Sequence, residues 1–100
     1  MISSITLFPK SIDSQKIEDI VSRTVSSMKS TSDLITIKMS DGNLMSPGGP
    51  PSYSKVMETT WESLEDFMAW AQNQNPEMQA DKDFMINNGA VLLFYEVKDI

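Results

Sequence analysis

ADKDFMINNGAVLLFYEV, residues Ala80 to Val97, is the stretch whose reading decides the fold, because it ends in a strand with no polar side. On a period of two, Val91, Leu93, Tyr95 and Val97 fall on one face. Leu92 and Phe94 fall on the other, with Glu96 as its one polar member. A chain of 100 residues carries enough helix to cover one face of a sheet, so the second apolar face requires a partner.

Working back from this strand, Asn87-Asn88-Gly89 is a turn signal, and Asn75-Pro76-Glu77 starts a short helix, since Asn caps well and Pro suits the first helical position. Leu64, Phe67, Met68 and Ala71 make the apolar side of a longer helix whose hydroxyl- and acid-rich start is Thr60 to Asp66, with Trp70 beside that side. Tyr53 to Thr59 reads as a strand. Ser46 to Ser52, SPGGPPS, is a connection that is either a plain surface loop or a flap over a pocket mouth. Leu34 to Met39 is a β-branched strand with Ile35, Ile37 and Met39 on one face and Leu34 opposite. Asp13 is the N-cap of a first helix with Ile17, Ile20, Val21, Thr24, Val25 and Met28 on one side, Ile12 as a staple to Ile17, and the cluster Lys29 to Asp33 as its end. At the start, Ile2 to Phe8 alternates small polar residues with Ile5 and Leu7 and stops at Pro9.

The order strand, helix, strand, strand, helix, strand predicts an α+β, ferredoxin-like βαββαβ fold: a single domain over residues 1–100, with a four-stranded antiparallel sheet and helices on one face. The uncovered face predicts a homodimer in which two sheets pack face to face as a dimeric α/β barrel. A different partner protein, or a larger protein of which this is one domain, is the competing cover.

Charge and composition narrow the chemistry. The net charge of −6, with eight scattered Lys and Arg, argues against nucleic acid. No apolar run reaches the roughly 20 residues of a membrane span, and the run Ile2 to Phe8 does not read as a signal peptide, so the expected location is cytoplasmic. With no cysteine there is neither a disulfide nor a sulfur-ligated zinc site, and no motif calls for a cofactor or metal. The absence of histidine excludes any His-based dyad or triad. Proton transfer is left to a carboxylate, a tyrosine or a lysine with a displaced pKa.

Gly48-Gly-Pro-Pro-Ser-Tyr53, Trp61-Glu-Ser-Leu-Glu-Asp-Phe67, Ala80-Asp81 followed by Phe84, and Phe94-Tyr-Glu-Val97 fall in the order and approximate spacing of the EthD-type family. The second half of the chain resembles this family by motif and the first half by fold pattern. The resemblance implies a dimer of small alpha-beta barrel subunits with a cavity between sheet and helices. Relatives in the wider superfamily include cofactor-free monooxygenases and lactone isomerases. It also implies a histidine near the end of the first helix, facing the cavity. Here the matching segment, Ser22 to Met28, holds none.

The candidate ligand-binding residues are Tyr53, Trp61, Asp81, Phe84, Tyr95 and Glu96. Asp81 matches the family's Ala-Asp motif and is either a pocket carboxylate or a cap or ion-pair partner at a turn. Glu96 is an acid within an apolar strand, capable of acid–base work if buried and otherwise a sheet-edge residue. The aromatics suit a pocket for a small hydrophobic or aromatic molecule, and equally a core or interface. The eight methionines fit either an adaptable pocket lining or a core, and Arg23 and Lys55 are the cations placed to meet an anion. Three functions follow: a small-molecule-binding dimer, catalytic or accessory to a degradative or biosynthetic pathway; a non-catalytic binding dimer; and a cofactor-free monooxygenase, which would need placed Asn, Trp or Tyr groups. Whether the chain is an enzyme stays open at this level.

Overall fold

The computed structural model describes residues 1–31 and 34–100. β1 (Ile2–Pro9) leads into α1 (Ser14–Lys29), β2 (Leu34–Met39) and β3 (Tyr53–Trp61); α2 (Leu64–Gln72) and α3 (Pro76–Asn87) follow, and β4 (Val91–Glu96) closes the fold. The strands form one antiparallel sheet in the order β2-β3-β1-β4. This is the ferredoxin-like arrangement, with a broken second helical segment that brings the helix count to three.

Local chemistry explains the element ends. The Asp13 carboxylate accepts from the backbone N–H groups of Gln15 and Lys16 at 3.1 and 3.3 Å and caps α1. Ile12 and Ile17 are both buried in the core, as the staple requires. The end cluster of α1 extends into Ser32 and Asp33, outside the described residues. The Ser63 hydroxyl caps α2, and Asn75 caps α3 just before Pro76. α3 ends in a Schellman motif: the Ala90 N–H reaches the Met85 carbonyl at 2.9 Å and the Gly89 N–H the Ile86 carbonyl at 3.2 Å, with Gly89 at φ +90°.

Three details differ from the sequence reading. β3 runs on through Thr60 and Trp61, where a helix start was expected, because both pair with β1: Ser3 opposite Thr60 and Ile2 opposite Trp61. α3 extends to Asn87 and is not a short turn of helix, since Met78, Asp81 and Met85 along it are buried. In β2 a register shift between Leu34 and Thr36 brings Leu34 and Ile37 onto the same side, both packed against the core, and leaves Ile35 exposed.

β1 decides what lies beneath the helices. Its buried residues are Ile2, Ser4, Thr6, Phe8 and Pro9. The small polar members of the alternation therefore point inward, and Ile5 and Leu7 take the open face. Register carries this across the sheet: Ile5 lies opposite Leu93, Ser3 opposite Tyr95 and Leu7 opposite Val91 on β4, so the open face is apolar at this end. At the other end Lys38 lies opposite Glu58, and the face is polar. Leu92 and Phe94 lie across from Thr6 and Ser4 on the helix side, as the two-sided reading of β4 requires.

The core gathers Trp61, Phe8, Ile2, Ile17 and Ile20, each 2% exposed or less, around β1, β3 and α1. Trp61 stands edge-on to Phe67, with centroids 5.6 Å apart, and tilted against Trp70 at 5.5 Å. Such pairs add to area burial by fixing ring geometry.

Candidate functional site

A cavity of about 380 Å³ lies between the sheet and the helices. α1 turns one stripe to it, Ile20, Thr24 and Met28, at successive spacings of four. α2 contributes Phe67, Met68, Trp70 and Ala71, and α3 contributes Met78, Asp81, Lys82 and Met85. The sheet supplies Ser4, Thr6 and Phe8 from β1, Met57 from β3 and Phe94 from β4. The cavity exists because Ser4 and Thr6 are too short to meet the helices packed above them, while Ile2 and Phe8 at either end hold the layers apart. Phe94 stacks at a tilt on Phe67 at 5.0 Å, yet is 52% exposed, so it stands at the boundary between cavity and solvent.

Polar groups at the cavity are few and connected. The Trp61 indole N–H donates to the Thr59 hydroxyl oxygen at 2.9 Å, and Thr59 is in turn hydrogen-bonded to Ser4. Thr59 is 1% exposed, and either hydroxyl of the Ser4–Thr59 pair can be the donor. The hydrogen-bonded chain runs from Trp61 through Thr59 to Ser4, which lines the cavity. The Thr24 hydroxyl donates to the Ile20 carbonyl at 2.8 Å, which leaves it an acceptor. The Trp70 indole N–H faces away from this set and donates to the Ser27 hydroxyl at 3.0 Å.

Asp81 is spoken for by an arginine. The Arg23 Nε donates to one carboxylate oxygen at 2.8 Å and its Nη2 to the other at 2.9 Å, with Glu77 3.8 Å from Nε. This fork joins α1 to α3 across the cavity wall. The hydrogen bonds to Asp81 raise the Arg23 guanidinium above its ordinary pKa, partial burial opposes them, and the charges of Asp81, Glu77 and Asp19 add to the rise. A raised basic pKa stabilises the fold at every pH below the unfolded value and is lost only as pH climbs through the folded one, so Arg23 contributes no pH dependence near neutrality. A double-mutant cycle tests the pair: Arg23→Met and Asp81→Asn each lower the melting temperature, and the double variant loses less than their sum. Strict additivity would show that the fork contributes nothing.

Of the six residues nominated from the sequence, Asp81 alone lines the cavity, and from mid-helix, not from a turn. Trp61 lies behind the wall as the indole that anchors Thr59. Phe84 packs against the core with the Lys16 ammonium 4.9 Å from its ring. Tyr53 lines a separate depression with Lys10 and the Ser46–Pro51 loop, so that loop does not cover the cavity. Tyr95 is on the open face, 47% exposed, and Glu96 is exposed at the end of the edge strand β4. Arg23 is taken up by Asp81, and Lys55 is half-buried on β3. Asn87 and Asn88 are exposed at the end of α3, away from the lining. Sequence reasoning missed Ser4, Thr6 and Gln74. The legible sign was that Ser4 and Thr6 share the parity of Ile2 and Phe8.

No described group of three or more carboxylates is arranged to hold a metal ion. Where the family resemblance implies a histidine, the cavity-facing residues of α1 are Thr24 and Met28, neither of which titrates.

No family model and no curated protein matches the sequence. Solved structures do. An ethyl tert-butyl ether D (EthD) family protein from Bacillus halodurans superposes with a TM-score of 0.67 at 20% identity, over 98% of this chain and 99% of that one. The chain shares the fold of the EthD-type proteins. SnoaB, a cofactor-independent oxygenase from Streptomyces nogalater, shares it with a TM-score of 0.67 at 10% identity, over 99% and 94% of the two chains. So does a dimeric ferredoxin-like protein of unknown function from Jannaschia sp. CCS1, with a TM-score of 0.74 at 12% identity, over 96% and 98%. The EthD-type fold thus serves an oxygenase and proteins of no assigned reaction alike, and the reaction resides in side chains and not in the fold. No helix among the described residues is long and apolar enough to cross a membrane.

Proposed function

We propose that this chain is a homodimer that binds one small, mainly apolar, aromatic molecule in the cavity of each subunit. The observation that carries the reading is the cavity itself: about 380 Å³, walled by Phe67, Trp70, Phe94 and four or more methionine and isoleucine side chains, with a small set of hydroxyls. Volume, apolar walls and few placed polar groups are the properties of small-molecule sites. The methionines make the wall adaptable, and their sulfurs suit an aromatic ring.

Dimerisation is supported by the open sheet face, where Leu93 and Tyr95 on β4 are 56% and 47% exposed beside Ile5 and Leu7 on β1. A face of this kind needs cover, and a second copy supplies an identical one. The dimeric protein from Jannaschia with the same fold points the same way.

Binding is favoured over acid–base catalysis. The sequence has no histidine, and the one carboxylate at the cavity is held by Arg23 in a two-pronged ion pair. A thermal-shift screen of phenols, lactones and short ethers tests the proposal, since a ligand of the native state alone raises the melting temperature. A hit is expected among aromatic compounds, and Ala71→Leu, which fills the cavity, is expected to abolish it. A hit that survives Ala71→Leu, or no hit in any class, would remove the cavity from consideration.

A further inference from the structure

The open face of the sheet carries charge at one place. The row through its middle runs Lys38, Glu58, Ile5 and Leu93 across the four strands, and Lys38 and Glu58 are both exposed. The neighbouring rows, from Thr36 to Tyr95 on one side and from Val56 to Val91 on the other, hold no charge. Opposite charges directly across two antiparallel strands attract. Yet the ion pairs among the described residues are both made by Arg23, so Lys38 and Glu58 stand unpaired in the single subunit. The face is therefore neutral on a chain of net charge −6. That balance suits one kind of partner above others. A two-fold interface lays a face upon itself, so any net charge on it would be met by the same charge.

We infer that this face recognises a second copy of the chain through charge, with Glu58 of each subunit paired to Lys38 of the partner subunit. This rests on the homodimer proposed above and adds the contact that fixes how the copies lie. The apolar end of the face, with Ile5, Leu7, Leu93 and Tyr95, gains most by covering its own counterpart, and that placement brings the charged ends of the two faces together. There, Glu58 over Glu58 or Lys38 over Lys38 would repel, and crossing the two gives two attractions instead. A lysine and a glutamate side chain together span the roughly 10 Å between packed sheets. A register that separates the two would bury each charge without a counter-ion, so the pair also excludes slipped arrangements.

The experiment measures mass by light scattering on Glu58→Lys, on Lys38→Glu, on the two variants mixed, and on the chain carrying both substitutions. Both positions are exposed in the subunit, so the circular dichroism spectrum is expected to be unchanged. Each single variant is expected to dimerise at least about a hundredfold more weakly than the wild type, because two crossing attractions become two repulsions. Mixed in equal amounts, the two are expected to form a one-to-one heterodimer, and the doubly substituted chain to regain the wild-type affinity. A single variant that dimerises as well as the wild type overturns the pairing and leaves the homodimer standing. So does a mixture, or a doubly substituted chain, that stays monomeric. A single variant that loses its circular dichroism spectrum overturns the pairing too, since the residue would then be serving the fold. A wild type that is itself monomeric overturns both this inference and the homodimer beneath it.

Discussion

Replacing Leu93 by lysine is expected to turn the proposed dimer into a monomer. Leu93 is 56% exposed in the single subunit and lies opposite Ile5 on the open face, so a lysine there is solvated and the subunit fold is unharmed. In a face-to-face dimer the same ammonium would be buried against the partner's apolar side chains. An unpaired buried charge costs several kcal/mol, enough to move a dissociation constant by more than about a thousandfold. Light scattering at micromolar concentration should therefore report half the wild-type mass for Leu93→Lys, with an unchanged circular dichroism spectrum. A wild-type monomer, or a Leu93→Lys dimer of undiminished affinity, would show that the sheet face is covered some other way.

Trp61→Ala is expected to have the largest effect on stability. Trp61 has no solvent exposure, contacts Phe67 and Trp70 ring to ring, and holds Thr59 through its indole N–H. Truncating a buried Trp costs about 3–5 kcal/mol. Against the roughly 5–15 kcal/mol that stabilises a domain of this size, that is a large share. The melting temperature should fall by about 15–30 °C. Trp61→Phe separates the two contributions. It retains most of the packing and loses the donor to Thr59, for about 1–2 kcal/mol. A Trp61→Ala variant that melts within a few degrees of the wild type would mean that the aromatic cluster is not the centre of the core.

The two predictions probe opposite faces of one sheet, and the faces were not equally legible. The period-two pattern of Val91 to Val97 needed only side-chain alternation to show that both sides of β4 are apolar, and the register with β1 places them as the pattern requires. Helix caps were legible for the same local reason: Asp13 and Asn75 act on N–H groups two or three residues away. β1 was not. Its alternation is equally regular, but alternation does not say which parity faces inward, and the helices settled on Ser4 and Thr6.

The site was harder to read for a related reason. Aromatic residues and acids were nominated because their chemistry stands out, and core packing and ion pairing absorbed them: Trp61 into the wall, Asp81 into the fork with Arg23. Beside the aromatic wall of Phe67, Trp70 and Phe94, the cavity lining holds small hydroxyls, methionines and two glutamines, types that carry no motif. The Gln74 side-chain oxygen has no hydrogen-bond partner among the described residues, which no pattern in the chain encodes.

By itself, the sequence determined the order of elements, the one-sided coverage of the sheet and the exclusion of histidine chemistry. All of these depend on local periodicity or on composition. The tertiary structure alone decided that a cavity exists, which hydroxyls floor it, and that Asp81 is taken up by Arg23 while Gln74 is not taken up by anything described. Those facts depend on distances between residues far apart in the chain, and short-range pattern carries no information about which buried polar group is left without a partner.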